Sequence, residues 1–145
     1  MSGATKKIFL EPIAIFNSEI IVCVGATFKN FEEWINKTKL SKSFKKDYKD
    51  IKPQIEKGFK ILKETSLGCM ICLKNKEGIC YFLLLLRTWG FEMSSYDVLL
   101  HEVIHYKQFQ WEAKTIGAEE IEFEAYFIEN VFLQLRNSLN KLYKL

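Results

Sequence analysis

Apolar residues follow two rhythms along this chain. Residues 8–16 and 19–24 are dense in Ile, Val and Phe, with Asn17-Ser18 between them, which predicts two short strands joined as a hairpin. Gly25 ends that unit, and Thr27 or Asn30 can then cap a helix carrying Phe31, Trp34 and Ile35 at helical spacing. A second amphipathic helix, with Phe44, Tyr48 and Ile51, is expected to stop near Pro53, and a further short helix covers residues 55–63. Residues 68–74 and 79–86 flank Asn75-Lys76-Glu77-Gly78, the pattern of a β-hairpin. Its second strand is apolar on both faces and so belongs in the middle of a sheet.

From Asp97 the rhythm is helical. Ser94 or Ser95 can cap this helix, which runs to about Thr115 and is closed by Gly117. A last helix is expected from Ala118 or Glu119 almost to the end. Its Ile121, Ala125, Ile128, Phe132, Leu135, Leu139 and Leu142 alternate in steps of four and three, giving one apolar stripe. The fold class expected from this order is α+β: a small sheet, then two long helices.

Composition bounds the picture without changing it. The chain of 145 residues fits one domain, 1–145, and 48% of it is apolar, enough for a packed core. Net charge is +3, and the lysines crowd into residues 37–63, where acids partly offset them. This reads as a solvated helical face, so nucleic acid is not an expected partner. Four cysteines stand at 23, 69, 72 and 80. Cys69 and Cys72 form a CxxC inside an apolar run, with no second ligand pair at zinc-ribbon spacing. All four read as small buried hydrophobes of a reducing compartment. Glu11 and Pro12 interrupt the apolar stretch after Lys6 and Lys7, unlike a signal peptide, and the longest apolar run, residues 79–86, is too short to span a bilayer. The expected setting is cytoplasmic, with no membrane partner.

Candidate chemistry enters at residues 97–109. Here Asp97-Val98-Leu99-Leu100-His101-Glu102-Val103-Ile104-His105 contains HExxH. Four residues apart on a helix, His101 and His105 project from one face, one turn apart, and can each reach one Zn²⁺ at about 2 Å. Glu102, offset from that axis, is placed to act as general base on a water activated by the metal. Both histidines of the chain fall in the motif, and random placement would give it with a probability on the order of a few in a thousand. One Zn²⁺ per chain is therefore the expected cofactor. No histidine remains for the third ligand, which leaves a carboxylate or, ranked behind it, a cysteine. Glu122, Tyr126 and Glu129 lie at i, i+4 and i+7 on the last helix, and a carboxylate on that face could complete the site.

The run His101-Glu102-Val103-Ile104-His105, followed by Glu122-Phe123-Glu124-Ala125-Tyr126, resembles the glutamate-type zincins, in which a second helix bears the third ligand as the first residue of E-x-x-A. It looks most like the compact metallopeptidases encoded in bacteriophage and mobile-element genomes. The resemblance implies a zincin-like fold and Glu122 as the third ligand, ahead of Glu129 and then Glu119. It also implies Ala125 as the small residue that lets the two helices approach. Lys107 stands where such helices carry an apolar residue. By the same resemblance, Tyr126 and Tyr106 are candidates to hold an oxyanion. The strand at residues 79–87, or its partner from Gly68, would bind a peptide backbone by strand addition.

The function expected is that of a zinc-dependent metallopeptidase acting on a peptide or protein, in a host cytoplasm if phage-encoded. The alternative is a non-catalytic zinc-binding structural or interaction protein, such as a virion component or an antagonist of host defence.

Overall fold

Two strands with unbroken apolar runs need cover on both faces, and the chain supplies it with a helix pair on each side. The computed structural model describes residues 6–90, 93–117 and 120–145. Strands β1 (Lys7–Ile13) and β2 (Ser18–Val24) form an antiparallel hairpin through a short 3₁₀ turn, Ile15–Asn17. Helices α1 (Phe28–Lys37) and α2 (Lys42–Glu64) follow, then strands β3 (Gly68–Lys74) and β4 (Cys80–Leu86), and finally helices α3 (Met93–Ala113) and α4 (Ile121–Leu142). The sheet order is β1-β2-β4-β3. β2 and β4 run parallel at its centre, while the hairpin pairs on either side are antiparallel. The architecture is α+β with a small mixed sheet, and β4 is central, as its two apolar faces predict.

Period-two alternation sorts the strand side chains between two cores. Ile20, Val22, Val24, Phe82, Leu84 and Leu86 pack against α3 and α4. Ile21, Cys23, Leu83 and Leu85 pack against α1 and α2. All four cysteines are free thiols; Cys23 is buried and the other three are half-buried. Among the described residues, no helix is long and apolar enough to cross a membrane.

Three boundaries differ from expectation for identifiable reasons. α2 does not stop near Pro53 but continues for 23 residues through it. Pro53 points to solvent, where water can serve the carbonyl left without an N–H partner, while Phe44, Ile51, Ile55, Phe59 and Leu62 form one buried stripe on both sides of it. α3 is closed by Thr115, not Gly117. Thr115 takes a left-handed φ of 50°, the Ile116 N–H donates to the Trp111 carbonyl, and the Thr115 N–H donates to that of Glu112, a Schellman closure. Ser94 and Ser95 lie inside α3, and the buried Ser95 hydroxyl accepts from the Gly90 N–H at 3.2 Å. The proposed start of the last helix at Ala118 or Glu119 falls outside the described residues.

A fourth difference, of rotation rather than boundary, matters most for the site. The first half of α4 is rotated from the expected stripe: Phe127, Val131, Leu135 and Leu139 are buried, whereas Ile121 is 70% exposed and Ala125 is also exposed. An aromatic cluster explains this. Phe127 lies 5.1 Å from Trp111 and 5.5 Å from Phe16, and Phe123 stacks on Trp111 at 5.3 Å, all between ring centroids. Two Phe rings bury far more apolar area than Ile121 and Ala125 would, so they set the facing side of the helix.

Candidate functional site

α3 packs beneath the hairpin with Leu99, Val103, Tyr106 and Gln110 turned inward, one residue per turn. The opposite side of the helix carries His101 and His105. Their Nε2 atoms stand 3.1 Å apart and their ring planes cross at 81°. Gln108, one turn beyond on the same row, holds its Oε1 2.9 Å from His105 Nδ1. His105 therefore stands in a row of polar contacts along the helix, between the His101 ring on one side and the Gln108 amide on the other. Gln108 lies outside the HExxH pattern and is not among the residues that the motif singles out. Its i+3 spacing from His105 was the available signal, because metal-ligating imidazoles regularly find a partner for their second nitrogen.

The fit to a metal can be tested on this pair. Two imidazole nitrogens, each about 2.0–2.1 Å from one zinc ion at a tetrahedral angle, are separated by about 3.3 Å. The observed 3.1 Å lies within a few tenths of that separation, and it is equally the length of a hydrogen bond between the two rings. The remaining corners of a tetrahedral site are different. Among the described residues, no group of three or more His, Cys, Asp and Glu side chains could hold an ion.

The carboxylates of α4 show why. Glu124 faces α3 and pairs with Lys107 at 3.2 Å. At 100° per residue, Glu122 and Glu129 then lie about 160° and 140° around the helix from Glu124, on its outer side, and both are exposed. Glu122 sits in the first turn, where a carboxylate complements the helix dipole whatever else it does. Tyr126 shares that outer face and is 58% exposed. Tyr106 is fully buried instead: its ring packs against Phe82 and Phe127, and its hydroxyl accepts from Gln110 Nε2 at 2.9 Å. Burial pushes its ionisation above the ordinary tyrosine value, and hydrogen bonds from Ser18 and Gln110 only partly offset this. Glu119 lies outside the described residues. The structure thus brings His101, His105 and Gln108 together, and leaves Glu122, Glu129, Tyr126 and Tyr106 apart from them.

Glu102 points sideways from the histidine row, toward β3. It is only 5% exposed, and its Oε1 accepts the Met70 N–H at 2.8 Å. The helix can come this close because residue 68 is glycine. A Cβ there would stand 2.6 Å from Val98 Cγ1 and 3.3 Å from Glu102 Cγ. β3 is an edge strand, so an N–H that bonds a side chain belongs to its outward-facing set. Farther along the same edge, Gln54 clamps both the N–H and the carbonyl of Lys74, at 3.1 and 2.9 Å. Cys72 lies midway between Met70 and Lys74, so by alternation its backbone groups also face the open edge. β4 has partners on both sides and offers no such edge, which excludes it as the strand that takes up a peptide.

No family model, no curated protein and no solved structure matches this chain.

Proposed function

We propose that this chain is a zinc-dependent metallopeptidase in which His101 and His105 supply two ligands and Glu102 is the general base. The observation that carries the reading is the 3.1 Å approach of two Nε2 atoms on one helical row, with Gln108 against the second nitrogen of His105. Zinc, when bound, supplies a Lewis acid that polarises a carbonyl and makes water acidic enough to attack it at neutral pH. The residues of the chain divide the remaining work. Glu102 lies beside β3, its Oε1 engaged by the Met70 N–H, and its carboxylate is the group that would take the proton of the attacking water. An extended peptide laid along β3 would meet the outward backbone groups around Cys72, and its carbonyls would then lie on the side of the helix that Glu102 faces.

The third protein ligand is assigned to Glu122 by the E-x-x-A resemblance, with Glu129 and Glu119 as alternatives. With Glu122 on the outer side of α4, this assignment requires the first turn of that helix to be set differently when metal is held. A zincin-like fold is part of the same proposal, supported by an edge strand lying against the HExxH helix. The second reading is a non-catalytic zinc-binding structural or interaction protein, a virion component or host-defence antagonist. It is favoured by the commitment of Glu102 Oε1 to a backbone N–H and by the outward setting of the α4 carboxylates.

Elemental analysis of the wild type beside His101→Ala, with peptide hydrolysis measured for Glu102→Gln, separates these. About one zinc per chain, lost in His101→Ala, is expected. Glu102→Gln should keep the metal and lose hydrolysis. Zinc bound without any hydrolysis by the wild type would select the structural reading, and no zinc in the wild type would end both.

A further inference from the structure

The two central strands run parallel, so their carboxyl ends open at the same end of the sheet. Val24 pairs with Leu86 there, and the Gly25 N–H donates to the Leu86 carbonyl at 3.0 Å. Beyond this point, on the face covered by α1 and α2, lies a cavity of about 750 Å³. It is away from His101 and His105, which sit on the helix of the opposite face. Crevices at the carboxyl ends of parallel strands, where connections leave in different directions, are the usual ligand sites of open sheets. A volume of this size matches the few hundred to a thousand Å³ of small-molecule pockets.

The lining states what chemistry such a ligand would have. Phe28, Phe59 and Leu62 give the cavity an apolar wall, with the two phenylalanine rings 6.0 Å apart at 60°. Lys29, Lys60, Lys63 and Arg87 surround it, opposed by Glu56 and Glu64. None of these three lysines is ion-paired among the described residues, although Lys52 and Lys76 of the same side of the molecule are. The Arg87 guanidinium is anchored on the carbonyls of Leu62 and Lys63 at the end of α2, which fixes its charge at the rim. Four cations against two carboxylates, gathered round an aromatic wall, suit an anionic head joined to a flat apolar body.

We infer that this cavity binds a small organic phosphate of the nucleoside monophosphate class, with the base against Phe28, which is backed by the buried Phe59, and the phosphate among Lys29, Lys60 and Lys63. The site is independent of the proposed peptidase chemistry, and its test uses neither zinc nor hydrolysis.

The experiment is an amide chemical-shift titration of the full chain with adenosine 5′-monophosphate, adenosine and inorganic phosphate in turn. The monophosphate should shift the amides of Gly25, Ala26 and Lys29 and bind more tightly than either fragment. Lys60→Ala combined with Lys63→Ala, both at exposed positions, should weaken it by about tenfold without disturbing amides elsewhere. Absence of shifts at millimolar monophosphate would overturn the inference, as would an unchanged affinity in the double variant. Equal binding of inorganic phosphate would reduce the site to an adventitious ion only and would overturn it as well.

Discussion

α3 and α4 lie side by side on one face of the sheet, yet they display their polar groups in different ways. α3 turns Leu99, Val103 and Tyr106 inward and carries His101, His105 and Gln108 along the opposite side. α4 turns Phe127, Val131, Leu135 and Leu139 inward and leaves Glu122, Tyr126 and Glu129 on its outer side. On α3 the functional geometry is internal to one helix: spacing of four brings two rings together in any α-helix, whatever it packs against. On α4 the relevant quantity is rotation about the helix axis relative to a neighbour, which no spacing within α4 contains. A site built half from each helix therefore has one half that is local and one that depends on packing.

The most damaging test of this comparison is made on α4. Phe127→Ala should cost about 3–5 kcal/mol in denaturant unfolding, because its ring is fully buried among Trp111, Phe16 and Tyr106. Tyr126→Ala, one residue away on the outer face, should stay within about 0.5 kcal/mol. If Tyr126→Ala proved the costlier of the two, α4 would be turned by about a quarter to a third of a revolution, and the contrast between the helices would collapse.

A smaller effect sharpens the α3 side. Glu102→Ala removes the acceptor of the Met70 N–H from a buried position and should cost about 1–3 kcal/mol. Glu102→Gln keeps an acceptor oxygen there and should cost clearly less, with slow exchange of the Met70 amide retained. Equal losses for the two substitutions would show that packing of the side chain, rather than the bond to β3, is what holds it.

The smallest effect joins the helices. Lys107→Met should change stability by less than about 1 kcal/mol, since the Lys107–Glu124 pair is partly exposed and screened by salt. The difference from wild type should shrink further as ionic strength rises. A larger, salt-independent loss would assign the effect to the lysine stem and its placement over the Trp111 ring, 5.7 Å from the nitrogen to the centroid.

Much of the fold was legible in the amino-acid pattern for the same reason that the histidine pair was. The apolar runs of β2 and β4, the hairpin turn at Asn75–Gly78 and a cap at Thr27 are all short-range regularities, and each is realised. The departures occur where a local rule met a larger packing term. Pro53 marks a helix end only when no continuous apolar stripe crosses it. Gly117 is the natural closing residue by propensity, but Thr115 closes α3, and Phe123 and Phe127 of the next helix pack back onto Trp111 in its last turn.

The sequence by itself determined the helix that carries His101, Glu102 and His105, their order around it, and the central place of β4, because these rest on helical and strand periodicity alone. Only the tertiary structure decided that β3 is the open edge beside Glu102, that Gly68 lets α3 approach it, and that Glu124 rather than Glu122 faces α3. Those outcomes follow from competition among long-range contacts. Aromatic burial set the rotation of α4, and a missing Cβ set the distance of α3 from the sheet, and neither is written in the spacing of the residues concerned.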